Sequence, residues 1–213
     1  TRNSEIDAIA PQLRFPDGAV QNSCRRFPRY RWTIFEMLGL SRLFPDSRFF
    51  GGWKMGDFDH QSPRMVDQPA GAALMVRRST LMELGGLDEQ FHLYAEDVDW
   101  CKRIRERGWK IYCYPKCKIV HLKGASTHKD FYSLVYNRYK SKRIYGQKHY
   151  TPLKYIILHF WVLIGLILRL IVLPFRVNQK VKEKRARLKG YVYSIIIWTG
   201  FGSMITFNSP EKK

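Results

Sequence analysis

The 213 residues carry 37 Lys and Arg against 18 Asp and Glu, a formal charge of +19, with 45% hydrophobic and 15% aromatic residues. That composition excludes a disordered chain and suffices for one or two packed domains. Four cysteines without paired metal-ligand spacing exclude a disulfide scaffold and a zinc ribbon, and Cys24, Cys101, Cys113 and Cys117 read as reduced thiols of a cytosolic protein. The first residue is Thr1 and no charged, then apolar, leader follows, so the sequence reads as a piece of a longer chain.

Residues 1–65 are broken by Pro11, Pro16, Pro28, Pro45 and Pro63 and by Gly18, Gly51, Gly52 and Gly56. They read as a long irregular excursion with one short helix near Thr33–Leu40. Ala72–Val76 is a short apolar run, expected as a buried strand. Thr80 and Glu83 have capping-box spacing for a short helix that Gly85 and Gly86 would end. Val98, Cys101, Ile104 and Trp109 recur among cations and predict an amphipathic helix stopped by Gly108. Lys110–Tyr114 and Lys118–Leu122 read as two strands separated by Pro115. This order suits part of an α/β sheet.

Residues 130–148 predict a basic, aromatic-rich helix. Tyr155–Leu173 is nearly continuous apolar sequence, and as a helix it would span roughly 28 Å, about the hydrocarbon thickness of a bilayer. Tyr191–Phe207 is a second apolar stretch. Between them, a loop Arg176–Lys189 is expected with seven cations and one acid. Cations on both sides of an apolar segment favour a membrane surface over a nucleic-acid groove. Two full spans would put that loop on the far side, against the positive-inside rule. Helices lying in the interface, or a shallow hairpin, fit better, and a soluble core helix for 155–173 is the remaining alternative.

Five of the 18 acids fall between Asp88 and Asp99. Glu96 and Asp97 stand at the start of the amphipathic helix, where the macrodipole favours anions. Asp97 is either a helix cap, with Asp99 decorating the first turn, or a carboxylate placed to take a proton from a bound hydroxyl. Asp57-Phe58-Asp59-His60 has the spacing of an Asp-x-Asp metal motif, but no apolar strand leads into it, so it is set aside.

Val66–Arg78, Gly85-Gly86-Leu87-Asp88-Glu89, Glu96-Asp97-Val98-Asp99, Gly108-Trp109, Pro115, His121 and Gly124-Ala125-Ser126 together resemble family 2 glycosyltransferases. The nearest subgroup is the rhamnosyltransferase-like enzymes of bacterial surface polysaccharide synthesis. Pro16–Gln21, Ser23 and Arg25–Pro28 also look like that subgroup. The resemblance runs from about residue 11 to 130 and implies an α/β chain. Its first part, 1–148, would be the C-terminal, acceptor-side portion of a GT-A (Rossmann-like) catalytic domain. Its second part, 149–213, would be a membrane-associating helical tail of apolar helices.

What the resemblance implies is an inverting transfer of a sugar from a nucleotide-sugar donor to a glycan on a polyprenyl diphosphate. The work would be done at the anionic, cytoplasmic face of the inner membrane. By resemblance, Asp97 is the catalytic base and Glu96 its partner, and His121 is a metal or diphosphate contact. Gly71, Arg25, Arg26 and Trp100 are substrate-binding candidates. Each also has an ordinary structural explanation: strand-end hydrogen bonding for His121, a solvated loop for the arginines, core packing for Trp100. A divalent cation, Mg2+ or Mn2+, would be held mainly by the nucleotide-binding half that precedes these residues in the family, so the 213 residues alone are expected to be inactive. The absence of a Gln-x-x-Arg-Trp pattern suggests one sugar per encounter. The competing expectation is a non-catalytic basic module that binds membranes or nucleic acid; on the transferase reading no nucleic acid is bound.

Overall fold

The computed structural model describes residues 6–44, 47–122, 131–175 and 181–200. The chain divides into two compact units, 1–125 and 126–213.

The first unit is built on a four-stranded sheet. Strand β1 is Ala8–Arg14, and the two-residue strand β2 is Cys24–Arg25. Helices α1 (Tyr30–Met37), α2 (Leu40–Leu43) and α3 (Arg48–Gly51) follow, the last running into a 3-10 turn at Gly52–Lys54. Three short strands come next, β3 (Arg64–Met65), β4 (Gln68–Pro69) and β5 (Met75–Val76). Helices α4 (Arg78–Leu84) and α5 (Glu96–Glu106) precede the long strand β6 (Ile111–Val120). The main sheet has the order β3-β6-β1-β5, while β2 and β4 form a separate ribbon. β1 and β6 are parallel; β5 and β3 flank them antiparallel.

Several expectations are corrected here. β1 lies in the stretch read as irregular. Its Pro11 sits where the register with β6 shifts, Pro11 facing Tyr114 and Gln12 facing Lys118. A proline supplies no N–H, and a bulge is where a strand tolerates one. The same bulge absorbs Pro115, so the two expected strands at 110–122 are one. Ala72–Val76 is not a buried strand: only Met75–Val76 pairs, at the sheet edge, and Met75 is 71% exposed. α4 begins after Arg77 with no side-chain cap, and Thr80 is inside the helix and buried, so the capping box is absent. α5 forms as expected, and Gly108 (φ +82°) ends its run in the left-handed region that glycine adopts without a steric cost.

The core of this unit joins Ala8, Cys24, Met55, Phe58, Val66, Cys101, Ile104, Ile111 and Cys113, with Trp100 and Trp109 packed at its margin. All four cysteines are free thiols, and only Cys117 is exposed. Burial pushes the Cys101 thiol up to about 12, so it behaves as a small apolar side chain.

His60 ties the core to the strands. It is fully buried, stacks on Phe58 at 4.2 Å, accepts from Cys24 N through Nε2 (3.1 Å) and directs Nδ1 at Phe58 O (2.9 Å). Those partners require the neutral Nδ1–H tautomer. Its carbonyl accepts from the buried Gln12 Nε2 at 2.6 Å.

Among its described residues the second unit holds three helices: α6 (Phe131–His149), α7 (Pro152–Val172) and α8 (Val181–Trp198). The sequence places a boundary at 148/149, whereas α6 belongs to this helical unit. Buried Trp198 of α8 donates its indole N–H to Tyr139 O of α6 at 3.1 Å. The cationic segment expected as a loop is helical from Val181 onward, forming the first half of α8. The motif Gly124-Ala125-Ser126 and the stretch 201–207 lie outside the described residues.

The burial of His60 lowers its pKa, with the Phe58 carbonyl and Asp59 opposing and the Arg25 and Arg64 charges assisting. The folded state therefore binds fewer protons than the unfolded state near pH 6. The stability His60 contributes is present above pH 6.5 and lost as pH falls through the folded value. We expect its imidazole Cε1–H resonance to titrate below 6.5; a midpoint at or above 6.5 would contradict this packing.

Candidate active site

Asp97 is the second residue of α5, whose N-cap is Ala95. It is thus not the cap. Its Oδ2 accepts from Gly71 N at 2.7 Å and its Oδ1 from Val98 N at 2.8 Å. Gly71 follows β4 closely, and the ribbon brings it there: Ala70 N donates to Ser23 O, and Arg25 pairs with Gln68. A Cβ at Gly71 would stand 2.8 Å from Asp97 Cβ and 3.0 Å from its Oδ2. Only glycine lets this backbone N–H approach the carboxylate so closely. The structure therefore brings Gly71 and Asp97, two of the sequence candidates, into direct contact. Asp97 remains partly exposed, so a hydroxyl can reach it.

Glu96 is the neighbouring carboxylate. Its Oε2 is buried and has no hydrogen-bond partner. Desolvation, with the Asp97 charge beside it, raises its pKa above the ordinary value. Two left-handed residues, Tyr94 (φ +69°) and Ala95 (φ +66°), turn the chain into α5 immediately before these acids. Each costs roughly 1–2 kcal/mol for a residue with a Cβ. The turn is held from behind. Fully buried Asp99 pairs with Arg103 Nε at 2.8 Å, and the same guanidinium donates to Leu84 O and Gly86 O. Trp100 Nε1 donates to Gly85 O at 3.0 Å. In this arrangement Trp100 braces the Gly85-Gly86 turn and packs against the core margin.

The arginines are engaged within the fold. Arg25 donates to Cys24 O and lies over the Trp53 ring at 5.5 Å, and its burial lowers its pKa. Arg26 donates to Gly52 O and pairs with Asp57 at 2.9 Å; Arg64 takes the other Asp57 oxygen at 2.9 Å. Chiefly through Arg64, these partners hold the Asp57 carboxyl down at about 2. An aspartate already bound by two guanidiniums is a poor metal ligand, which agrees with setting Asp57-x-Asp59 aside.

His121 follows β6. Its backbone N donates to Arg14 O, and its Nδ1 lies 3.0 Å from Gln21 Oε1, while Gln21 Nε2 donates to His121 O (2.6 Å) and Arg14 O (3.1 Å). An amide oxygen facing Nδ1 selects the Nδ1–H tautomer and turns Nε2 into an acceptor. Gln21 is 5% exposed. It stood in the sequence motif without a role; a polar residue's partner 100 positions away leaves no local signal. Asp99 and Arg103 did leave one, the i,i+4 spacing of opposite charges. Among the described residues no three His, Cys, Asp or Glu side chains cluster as a metal site.

Comparison with known proteins covers the same stretch of sequence. The glycosyl transferase family 21 model matches residues 65–137, which include Gly71, Glu96, Asp97 and His121. An N-acetylglucosaminyl-diphospho-decaprenol L-rhamnosyltransferase of Mycobacterium tuberculosis is 32% identical over 139 residues, 65% of this chain and 44% of that protein. Over the matched residues the chain is similar to glycosyltransferases, rhamnosyltransferases among them. A rhamnosyltransferase of Escherichia coli K12 is 32% identical over 100 residues, 46% of this chain and 34% of its own length. An O-antigen biosynthesis protein of Myxococcus xanthus is 27% identical over 127 residues, 59% of this chain and 9% of its own. The chain spans less than half the length of the first curated relatives it matches. No solved structure matches.

Glu96 yields a prediction of opposite sign to that of His60. Its raised folded pKa means that its charge opposes folding as pH rises above 4.5. We expect Glu96→Gln to raise the melting temperature at pH 7 and to leave it unchanged near pH 4. Differential scanning calorimetry at the two pH values checks this.

Proposed function

We propose that the whole protein is an inverting glycosyltransferase of GT-A fold. It would move a sugar, rhamnose by likeness to its relatives, from a nucleotide-sugar donor to a glycan on a polyprenyl diphosphate. The observation that carries this reading is the contact between Gly71 N–H and Asp97 Oδ2 at the start of α5. It fixes one carboxylate at a strained turn, open to solvent on one side. In the reaction the acceptor hydroxyl oxygen bonds to the anomeric carbon while the bond from that carbon to the nucleotide diphosphate breaks. The bonding pair leaves on the diphosphate, and the hydroxyl proton passes to Asp97. A placed base contributes ~10²–10⁴ in rate. Glu96 stands beside it as the partner carboxylate, its raised pKa set by burial and by the Asp97 charge.

His121, held by Gln21, is the one proposed cation ligand from this chain. When bound, Mg2+ or Mn2+ would neutralise the departing diphosphate. Its other ligands belong to the donor and to parts of the enzyme outside the described residues. The coverage of under half of the first relatives supports the companion proposal that these 213 residues alone do not turn over. We place the enzyme at the cytoplasmic face of the membrane. Among the described residues, α7 alone is long and apolar enough to cross a bilayer. It also leaves Leu153, Ile156, Phe160, Ile167 and Ile171 exposed.

In the whole protein, Asp97→Asn is expected to lower kcat by ~10²–10⁴ with the melting temperature preserved. Gly71→Ala, which pushes the carboxylate aside, should cost ~10² in kcat. A radiolabelled sugar-transfer assay measures both, and near-native turnover of Asp97→Asn sinks the assignment of the base. Gln21→Leu is expected to raise the Mn2+ concentration needed for half-maximal rate, by ~10–100-fold, with kcat at saturating metal largely kept. A metal titration showing no shift would reduce Gln21 to a structural role.

A further inference from the structure

Residues 29–44 and 47–54 form a small helical lobe with a packed interior. Trp32, buried, donates its indole N–H to Phe49 O at 2.9 Å, and Ser41 Oγ donates to Phe50 O at 2.7 Å. Phe35, Phe44 and Phe49 each lie within about 5 Å of Phe50, at centroid distances of 5.0, 5.2 and 5.1 Å. Yet Leu43 is 72% exposed, Phe44 50% and Phe49 56%. Because Phe44 and Phe49 share Phe50 as a neighbour, they form one continuous apolar surface and not scattered side chains. Exposed Arg42 and Arg48 immediately precede Leu43 and Phe49, and exposed Arg29 and half-buried Arg31 lie over the Trp32 ring at 5.1 and 5.4 Å. Over residues 29–54 five cations face two acids, Glu36 and Asp46.

We propose that this lobe is a lipid-contact surface: Leu43, Phe44 and Phe49 enter the headgroup–acyl boundary of an anionic bilayer while Arg42 and Arg48 meet its phosphates. The argument is charge complementarity together with side-chain type. Aromatic and aliphatic tips interleaved with arginines match the apolar-below, anionic-above profile of a membrane interface. A second copy of this chain, with its formal charge of +19, would bring like charge to the paired cations. The surface is distinct from α7 and independent of the transfer chemistry, so it stands or falls separately from the transferase reading.

The test uses the whole protein with Cys117→Ser, which removes the exposed thiol, and Phe44→Cys carrying an environment-sensitive NBD label. Phe49→Cys replaces it if that variant misfolds, and Met82→Cys on α4 serves as the control position. The vesicles are phosphatidylcholine with or without phosphatidylglycerol and doxyl-labelled lipid. The expected result is a blue shift and doxyl quenching at position 44, stronger with phosphatidylglycerol, weakened several-fold by Arg42→Ser with Arg48→Ser or by high salt, and absent at position 82. An unshifted label on protein that floats with the vesicles would overturn the proposal. So would a label already blue-shifted without vesicles, which would mean that a second copy or another protein surface covers the lobe.

Discussion

One hydrogen bond organises the site: the Gly71 amide to the Asp97 carboxylate. It joins the end of the β2–β4 ribbon to the first turn of α5, two elements that no strand pairing connects. Its 2.7 Å length and the lack of room for a Cβ at Gly71 are one fact seen from two sides. A backbone donor to a carboxylate is a charge-assisted bond, stronger than a neutral one and free of the entropy cost of ordering a long side chain. Placement of the carboxylate is therefore inherited from the backbone of two elements and not from side-chain packing.

The second requirement is that α5 begin where it does. Two left-handed residues with side chains lead into it, at a cost the rest of the turn must meet. The buried Asp99–Arg103 pair meets it, because the same guanidinium also donates to Leu84 O and Gly86 O. A buried ion pair is a poor source of net stability but a strict one of geometry: removing either member strands a charge. Glu96 shows the converse. Its buried, unpartnered oxygen is a stability cost left standing beside Asp97.

Much of this was legible in the sequence where periodicity was strong. α5 follows from its apolar spacing and α7 from its apolar length, α6 reads from a basic, aromatic-rich stretch, and the position of Asp97 at a helix start from the acidic run before it. β1 was not legible, because Ala8–Arg14 contains Pro11 and lacks alternation; its strand identity comes from β6, a hundred residues away. β5 misled in the other direction, since an apolar run says nothing about whether both faces are covered. The cationic stretch before Tyr191 read as a loop because its charges mask an ordinary helix propensity that Lys, Arg and Ala all share. Gln21 could not be found locally at all: its value lies in holding His121 and Arg14 together across the chain.

Successive hydrogen bonds run from the lobe to the ribbon that carries Gly71. Arg26 N donates to Trp53 O at the lobe's edge, Phe27 N to Asp67 Oδ2, and Ala70 N to Ser23 O, one residue before Gly71. The Arg26–Asp57–Arg64 cluster ties the segment after the lobe to β2 and β3. These bonds place the lobe and Gly71 on one hydrogen-bonded framework within the first unit. If the lobe rests in lipid, the same framework relates the Asp97 carboxylate to the headgroup layer, and the exposed phenylalanines, a solubility liability in water, are covered there.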